Sequence, residues 1–242
     1  AFPGAEGFGA AATGGRGGDV VIVDTLEPMG PGSLGEALAP EDCGPRVVVF
    51  RVSGVIEVPG THDLELTCGD VTVAGQTAPG AGITLSGRID GYGADPGGNV
   101  ILRHLRIRPP PLTDEEGLVD DLGHRYDALQ LGNNPNIMLD HLSLSWGSDE
   151  TLDLHEFAND ATVQWTTIEQ SNPEGLGDEG PHNDGMIAGP DSPRVTVHHV
   201  LMAHHEARCP AMARTGRRPH CWPTCHGPAR PGATATAPRA RC

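Results

Sequence analysis

Four segments of the chain alternate apolar and polar positions in the same way when written in register. They are NVILRHLRIR from Asn99, NIMLDHLSLS from Asn136, DATVQWTTIE from Asp160 and RVTVHHVLMA from Arg194. Leu102, Leu139, Val163 and Val197 share one position, and Ile107, Leu144, Ile168 and Met202 share another. Between them His104, His141, Trp165 and His199 occupy a third. DVTVAGQTAP, from Asp70, fits the opening of the same pattern. A period of two describes strands with one buried face. Successive copies begin 29, 37, 24 and 34 residues apart. A variable period above a floor in the low twenties fits a fixed strand unit with insertions in a connecting loop, which is how a solenoid looks in sequence.

A shorter strand precedes each copy: ITLSG at 83–87, DALQL at 127–131, ETLDL at 150–154 and GMIAG at 185–189. Tight polar corners such as GNNPN (132–136) and EFAND (156–160) separate the two kinds of strand. Two parallel strands per coil predict an all-β, right-handed parallel β-helix. A hairpin-built sandwich would need two-residue Asn-Gly or Asp-Gly loops joining successive strands, and helical repeats would need a 3.6-residue period between them; the strand repeats show neither. With 34 Gly and 22 Pro in 242 residues, short strands and turns are favoured over helices.

Charge divides the chain. All 32 acidic residues lie at or before Glu206, and nine of the 16 arginines precede Arg208; there is no lysine. Residues 1–207 therefore carry −23 and residues 208–242 carry +7. Such an acidic body repels nucleic acid and anionic membranes unless a cation intervenes. No run of 18 apolar residues is present to span a bilayer. The stretch from about Arg214 has no strand alternation and no acid, so residues 1–213 are read as the β-helix domain. Residues 214–242 are read as an Arg/Pro/Gly-rich tail, disordered or unrelated to the fold, after which further C-terminal coils are missing. Cys43 and Cys68 are the only cysteines of the acidic body; a disulfide and two buried thiols are both open. The start at AFPGAEGFGA, without Met, reads as a processed, exported chain.

The acids concentrate in DHLSLSWGSDETLDLHEF, residues 140–157. In DETLDL a strand points Leu152 and Leu154 to one face and Asp149, Thr151 and Asp153 to the other. Asp127 opens DALQL, the preceding coil's counterpart of ETLDL, and stacked coils lie about 4.8 Å apart. Asp127 is therefore expected beside the Asp149–Glu150 corner. Carboxylates this close either form a solvated acidic face or hold a hard divalent cation, for which oxygen-only ligands suit Ca²⁺ better than Zn²⁺. Asp140 and Glu156 fall where a solvated face would put them.

AFPGAEGFGAAATGGRGG at the start, VTVAGQTAPGAGITL at 71–85, DHLSLSWGSDETLDL from 140 and HHVLMAHHEARCP at 198–210 together resemble the bacterial branch of the pectate lyase family. The likeness covers about residues 1–210. It implies a right-handed parallel β-helix, Ca²⁺-dependent β-elimination on polygalacturonate, and secretion. By the same resemblance the calcium ligands are Asp127, Asp149 and Asp153, with Glu150 a further oxygen donor. The family's catalytic base, an Arg opening an R-x-P motif, corresponds to Arg208 of RCP. Arginine is an unusual base, its ordinary pKa being above about 12, so a nearby cation and desolvation are required.

Three departures are visible. Arg125 replaces an acid two residues before Asp127, and the R-x-P-R-x-R pattern ends in Ala211 and Ala213 where arginines would hold substrate carboxylates. A cationic substrate contact expected near HNDGMIAG falls at Asp184, leaving His182 to supply part of that role. The partner expected is an acidic polysaccharide bound by a monomer, with no nucleic acid and no membrane. Two rival readings are a non-catalytic uronate-binding or decayed lyase, and a structural surface module. The pairs His198–His199 and His204–His205 do not suggest zinc, because neighbours on a strand face opposite ways. Trp146 and Trp165 are expected to pack against coils. The Gly-rich opening follows no strand and has no P-loop lysine, so phosphate binding is not expected.

Overall fold

The computed structural model describes residues 1–59, 63–95, 97–110, 126–172, 183–189 and 191–212. The strand pairings within it are parallel, and each joins one turn of the chain to the next, so the fold is a right-handed parallel β-helix. A complete coil has three legs where the sequence pattern suggested two strands. First legs are Asp19–Val23, Arg46–Phe50, Val71–Ala74, Val100–Arg103 and Ile137–Asp140. Second legs are Gly54–Glu57, Ile83–Ser86, Leu105–Ile107 and Ser143–Ser145. The two series merge in Ala161–Glu169 and Val195–Ala203, each of which runs through both. Third legs form a separate sheet: Asp63–Glu65, Arg88–Asp90, Leu129–Gln130, Glu150–Leu154, Asp184–Ala188 and Ala211–Met212.

This corrects one alignment. ITLSG is a second leg, with Ile83 opposite Leu105, and is not the counterpart of DALQL. The third leg of its coil is Arg88–Asp90, three residues whose alternation is too short to stand out. The register rows hold. Leu102 pairs with Leu139, Leu139 with Val163 and Val163 with Val197. Ile107, Leu144, Ile168 and Met202 make a second row. Leu64, Ile89, Leu129, Leu152 and Met186 make a third. These rows point inward and form one core. Each Leu or Ile removed from water there contributes about 1.5–3 kcal/mol.

Left-handed residues at fixed places turn the chain. Asp70, Asn99, Asn136 and Asp160, with φ of 48°, 51°, 59° and 58°, each stand one residue before a first leg. Asp and Asn tolerate this region because their short side chains bond locally. A second set, His104, His141, Trp165 and His199, with φ of 51–54°, bends the chain between first and second legs. Their rings stack on the outside of the helix: His104–His141 at 4.6 Å, His141–Trp165 at 6.3 Å and Trp165–His199 at 4.0 Å between centroids. Trp165 is half exposed in this ladder, and Trp146, at the next corner, is exposed as well. The bend at His199 also brings its ring and that of His198 to the same side, Nδ1 to Nδ1 2.8 Å, where a flat strand would have separated them.

The Gly-rich opening is a strap across the first legs. Gly9 N donates to Thr162 Oγ1 at 2.9 Å, Gly15 N to Thr72 Oγ1 at 3.1 Å and Phe8 N to Thr196 Oγ1 at 3.2 Å. A Cβ on Gly9 would lie 2.1 Å from Ile137 O, and one on Gly15 1.7 Å from Arg46 O, so backbone lies directly on backbone. Under the strap Asp140 is buried, a correction to its expected solvated position. Its Oδ2 accepts from Arg103 Nε at 2.8 Å and its Oδ1 from Gln164 Nε2 at 2.7 Å. Glu156 is only half exposed, accepting from Tyr92.

At the N-terminal end the helix Leu34–Leu38 closes the core, with Ser33 Oγ accepting from Glu36 N and Glu36 Oε2 accepting from Gly32 N. The Cys43–Cys68 disulfide is formed, with Cα atoms 5.6 Å apart. Among the described residues no helix is long and apolar enough to cross a membrane. The 214–242 tail, Arg125 and His182 lie outside the described residues.

Candidate active site

Two neighbouring third legs, Glu150–Leu154 and Asp184–Ala188, begin with acids, and Asp127 stands two residues before a third, Leu129–Gln130. Glu150 stands opposite Asp184 in the sheet, and Asp184 opposite Ala207. The corner before Glu150 is folded tightly: a Cβ on Gly147 would lie 2.1 Å from Glu150 O. Four hydrogen bonds tie that corner to the coil before. Ser148 N and Asp149 N donate to Tyr126 O at 2.8 and 3.2 Å, Tyr126 N donates to Ser148 Oγ at 3.1 Å, and Glu150 N donates to Asp127 Oδ1 at 2.9 Å. Asp127 thus lies at the corner, where the coil spacing put it.

Asp127, Glu150 and Asp153 each offer an oxygen, and these three atoms lie within 4.8 Å of one another. All three residues are buried. Asp149 is half buried and falls outside this group of three, although its charge acts on both Asp127 and Asp153. Burial, then the charges of Asp153 and Asp149, push the Asp127 carboxyl well above the usual carboxylate range. Burial lifts Asp153 to about 6, against the opposing hydrogen bond from His155 N. Both shifts have the same origin, which is negative charge gathered where water is scarce.

This arrangement fits a hard cation. Oxygens bound to Ca²⁺ at about 2.3–2.6 Å can be at most about 5 Å apart, and the three carboxylate oxygens already satisfy that limit. The donor set is all oxygen, which disfavours zinc. In addition, Glu150 Oε1 is buried and, among the described residues, meets no donor but Arg208.

Its counter-charge is Arg208. The guanidinium Nη1 of Arg208 is ion-paired with Glu150 Oε1, and its Nε lies 2.9 Å from Asp184 Oδ2. The backbone there is fixed, since Gly185 N donates to Ala207 O at 3.1 Å and Met186 N to Arg208 O at 2.7 Å. Gly185 is a glycine for this reason: a Cβ would lie 2.7 Å from Arg208 O and 2.9 Å from His205 Cδ2. The buried His205 packs beneath, its Nδ1 2.8 Å from Ser171 Oγ and its Nε2 2.8 Å from Ile168 O. Burial lowers its pKa, and Nε2, facing a carbonyl oxygen, donates.

Asp184 is the residue that sequence reasoning did not assign to the site. Written as DALQL, ETLDL and DGMIA, the three third legs all open with an acid. Starting the last copy at Gly185 hid that row.

No protein-family model matches the chain. Curated relatives do. The chain is 43% identical over 170 residues to the probable pectate lyase C of Emericella nidulans, and 42% identical over 170 residues to that of Aspergillus terreus. Over those 170 residues the chain is similar to these pectate lyases. The matched relatives are fungal, whereas the motifs resemble the bacterial branch. Each match takes in 70% of this chain and 36% of the relative, so the chain spans about a third of the length of the pectate lyases it matches. The solved structure of Jun a 1, the major allergen from cedar pollen, overlaps with a TM-score of 0.47 at 19% identity, across 82% of this chain and 62% of the allergen.

Proposed function

We propose that the protein cleaves polygalacturonate by calcium-assisted β-elimination. The observation that carries this reading is the convergence of three buried carboxylates with Arg208 at one corner. Asp127, Glu150 and Asp153 would hold Ca²⁺, with Asp149 a further donor at the rim. Calcium bound there supplies Lewis-acid withdrawal of charge from the substrate's uronate carboxylate. Arg208, in its neutral form, takes the proton from C5. The electron pair left behind forms the C4–C5 double bond as the C4–O4 bond breaks, and the leaving oxygen takes a proton from solvent. A bridging cation also lets so acidic a protein approach a polyanion. His182 would contact substrate from the segment before Asp184. The reading extends to a secreted monomer whose β-helix occupies residues 1–213, with 214–242 a separate tail.

A second reading, a uronate-binding or decayed lyase, is favoured by specific residues. Asp184 stands where a cation is expected and is spent on Arg208, and Ala211 pairs with Ile187 where an arginine would reach substrate. The two readings differ in the ultraviolet absorbance of the unsaturated product. The lyase reading expects absorbance to rise with polygalacturonate and Ca²⁺, to stop on adding chelator, and to fall by about 10²–10⁴-fold in Arg208→Ala. Calcium-dependent retention of polygalacturonate without product would establish the binding protein instead. Equal rates for Arg208→Ala and the parent would remove Arg208 as the base.

A further inference from the structure

We infer that Arg208 is the counter-ion of Glu150 and competes with calcium for it, so that calcium binding displaces the guanidinium. The inference rests on the reading of Asp127, Glu150 and Asp153 as the calcium ligands. Glu150 has two claims on it: it belongs to the trio of convergent oxygens, and its Oε1 is ion-paired with Arg208 Nη1. That oxygen is buried and meets no other donor among the described residues, so the guanidinium is what compensates its charge. Hydrogen bonds to Ala207 O and Arg208 O fix the backbone from which that side chain reaches Glu150.

A dication placed among the three oxygens takes over that compensation and repels the guanidinium a few ångströms away. Asp184, 2.9 Å from Nε, lies outside the trio and keeps a hold on the released side chain. The residue read as the base is therefore occupied until metal arrives, and metal binding itself frees it. Because coupling between two ligands of one group is reciprocal, Arg208 must also weaken calcium binding.

Calorimetric titration of CaCl₂ into metal-stripped parent, Arg208→Gln, Glu150→Gln and the double variant tests this. Arg208→Gln is expected to bind calcium about five-fold or more tightly than the parent. In the Glu150→Gln background the same change is expected to give no gain. Equal or weaker binding by Arg208→Gln overturns the inference while leaving the calcium site standing. A gain that persists without the Glu150 carboxylate overturns it too, because the coupling then runs elsewhere. Absence of calcium binding by both parent and Arg208→Gln removes the site and the inference together. In the unaltered chain, the Arg208 Nε–H resonance is expected to shift on adding calcium. No shift at saturating calcium would likewise overturn the displacement.

Discussion

Asp140 shows how one residue's surroundings decide its chemistry. Burial alone would raise its pKa, but hydrogen bonds from Gln164, Arg103 and His141 outweigh that, and its pKa is lowered. A carboxylate with a depressed folded-state pKa stabilises the fold above its unfolded value of about 3.9, and the contribution is lost as pH falls through the folded value. Asp140→Asn is expected to cost about 1.5–3 kcal/mol at neutral pH. It should also lose less further stability than the parent between about pH 4 and pH 2. Urea unfolding at each pH measures both effects, and parallel losses in the two proteins would show that Asp140 is not the titrating group. Alternation along 137–145 places Asp140 on the outer face, and that much is readable in the sequence. What covers the outer face is not, because Gly4 and Glu6 reach the same spot from more than 130 residues away through Gln164.

At the scale of the element, the inward rows were legible because a period of two is imposed by strand geometry, whatever the loops between copies do. The turns were legible only in part. Asn and Asp before first legs announce a left-handed residue through their short, locally bonding side chains, a signal that Trp165 lacks and that the alternating strand pattern masks at His104, His141 and His199. The third leg Arg88–Asp90 is too short for its alternation to show, and the acid opening Asp184–Ala188 is hidden when that copy is started at Gly185. At Asn136, φ of 59° gives an element-level prediction. Asn136→Gly is expected to unfold within about 0.5 kcal/mol of the parent. Asn136→Val, branched at Cβ, should lose about 2 kcal/mol or more. If both variants unfold at the same denaturant concentration, the left-handed turn carries no strain.

For the whole molecule, the strap formed by the first 18 residues changes how the coils depend on one another. Solenoids ordinarily hold together through nearest neighbours alone, so either end can come apart without disturbing the other. Here one segment bonds to Thr72 and, three coils further along the axis, to the paired Thr162 and Thr196. Gly9→Ala sets a methyl group against Ile137 O and Thr162 N, and is expected to lift the strap locally. Hydrogen exchange should then quicken at Val71–Ala74 and Val195–Ala203 together, although neither strand touches the altered residue's side chain. If exchange quickens only near Ile137–Asp140, the strap does not link the ends. A β-helix of this kind would behave less like a stack of coins than like a bound book, in which a single loosened spine frees pages at both covers at once.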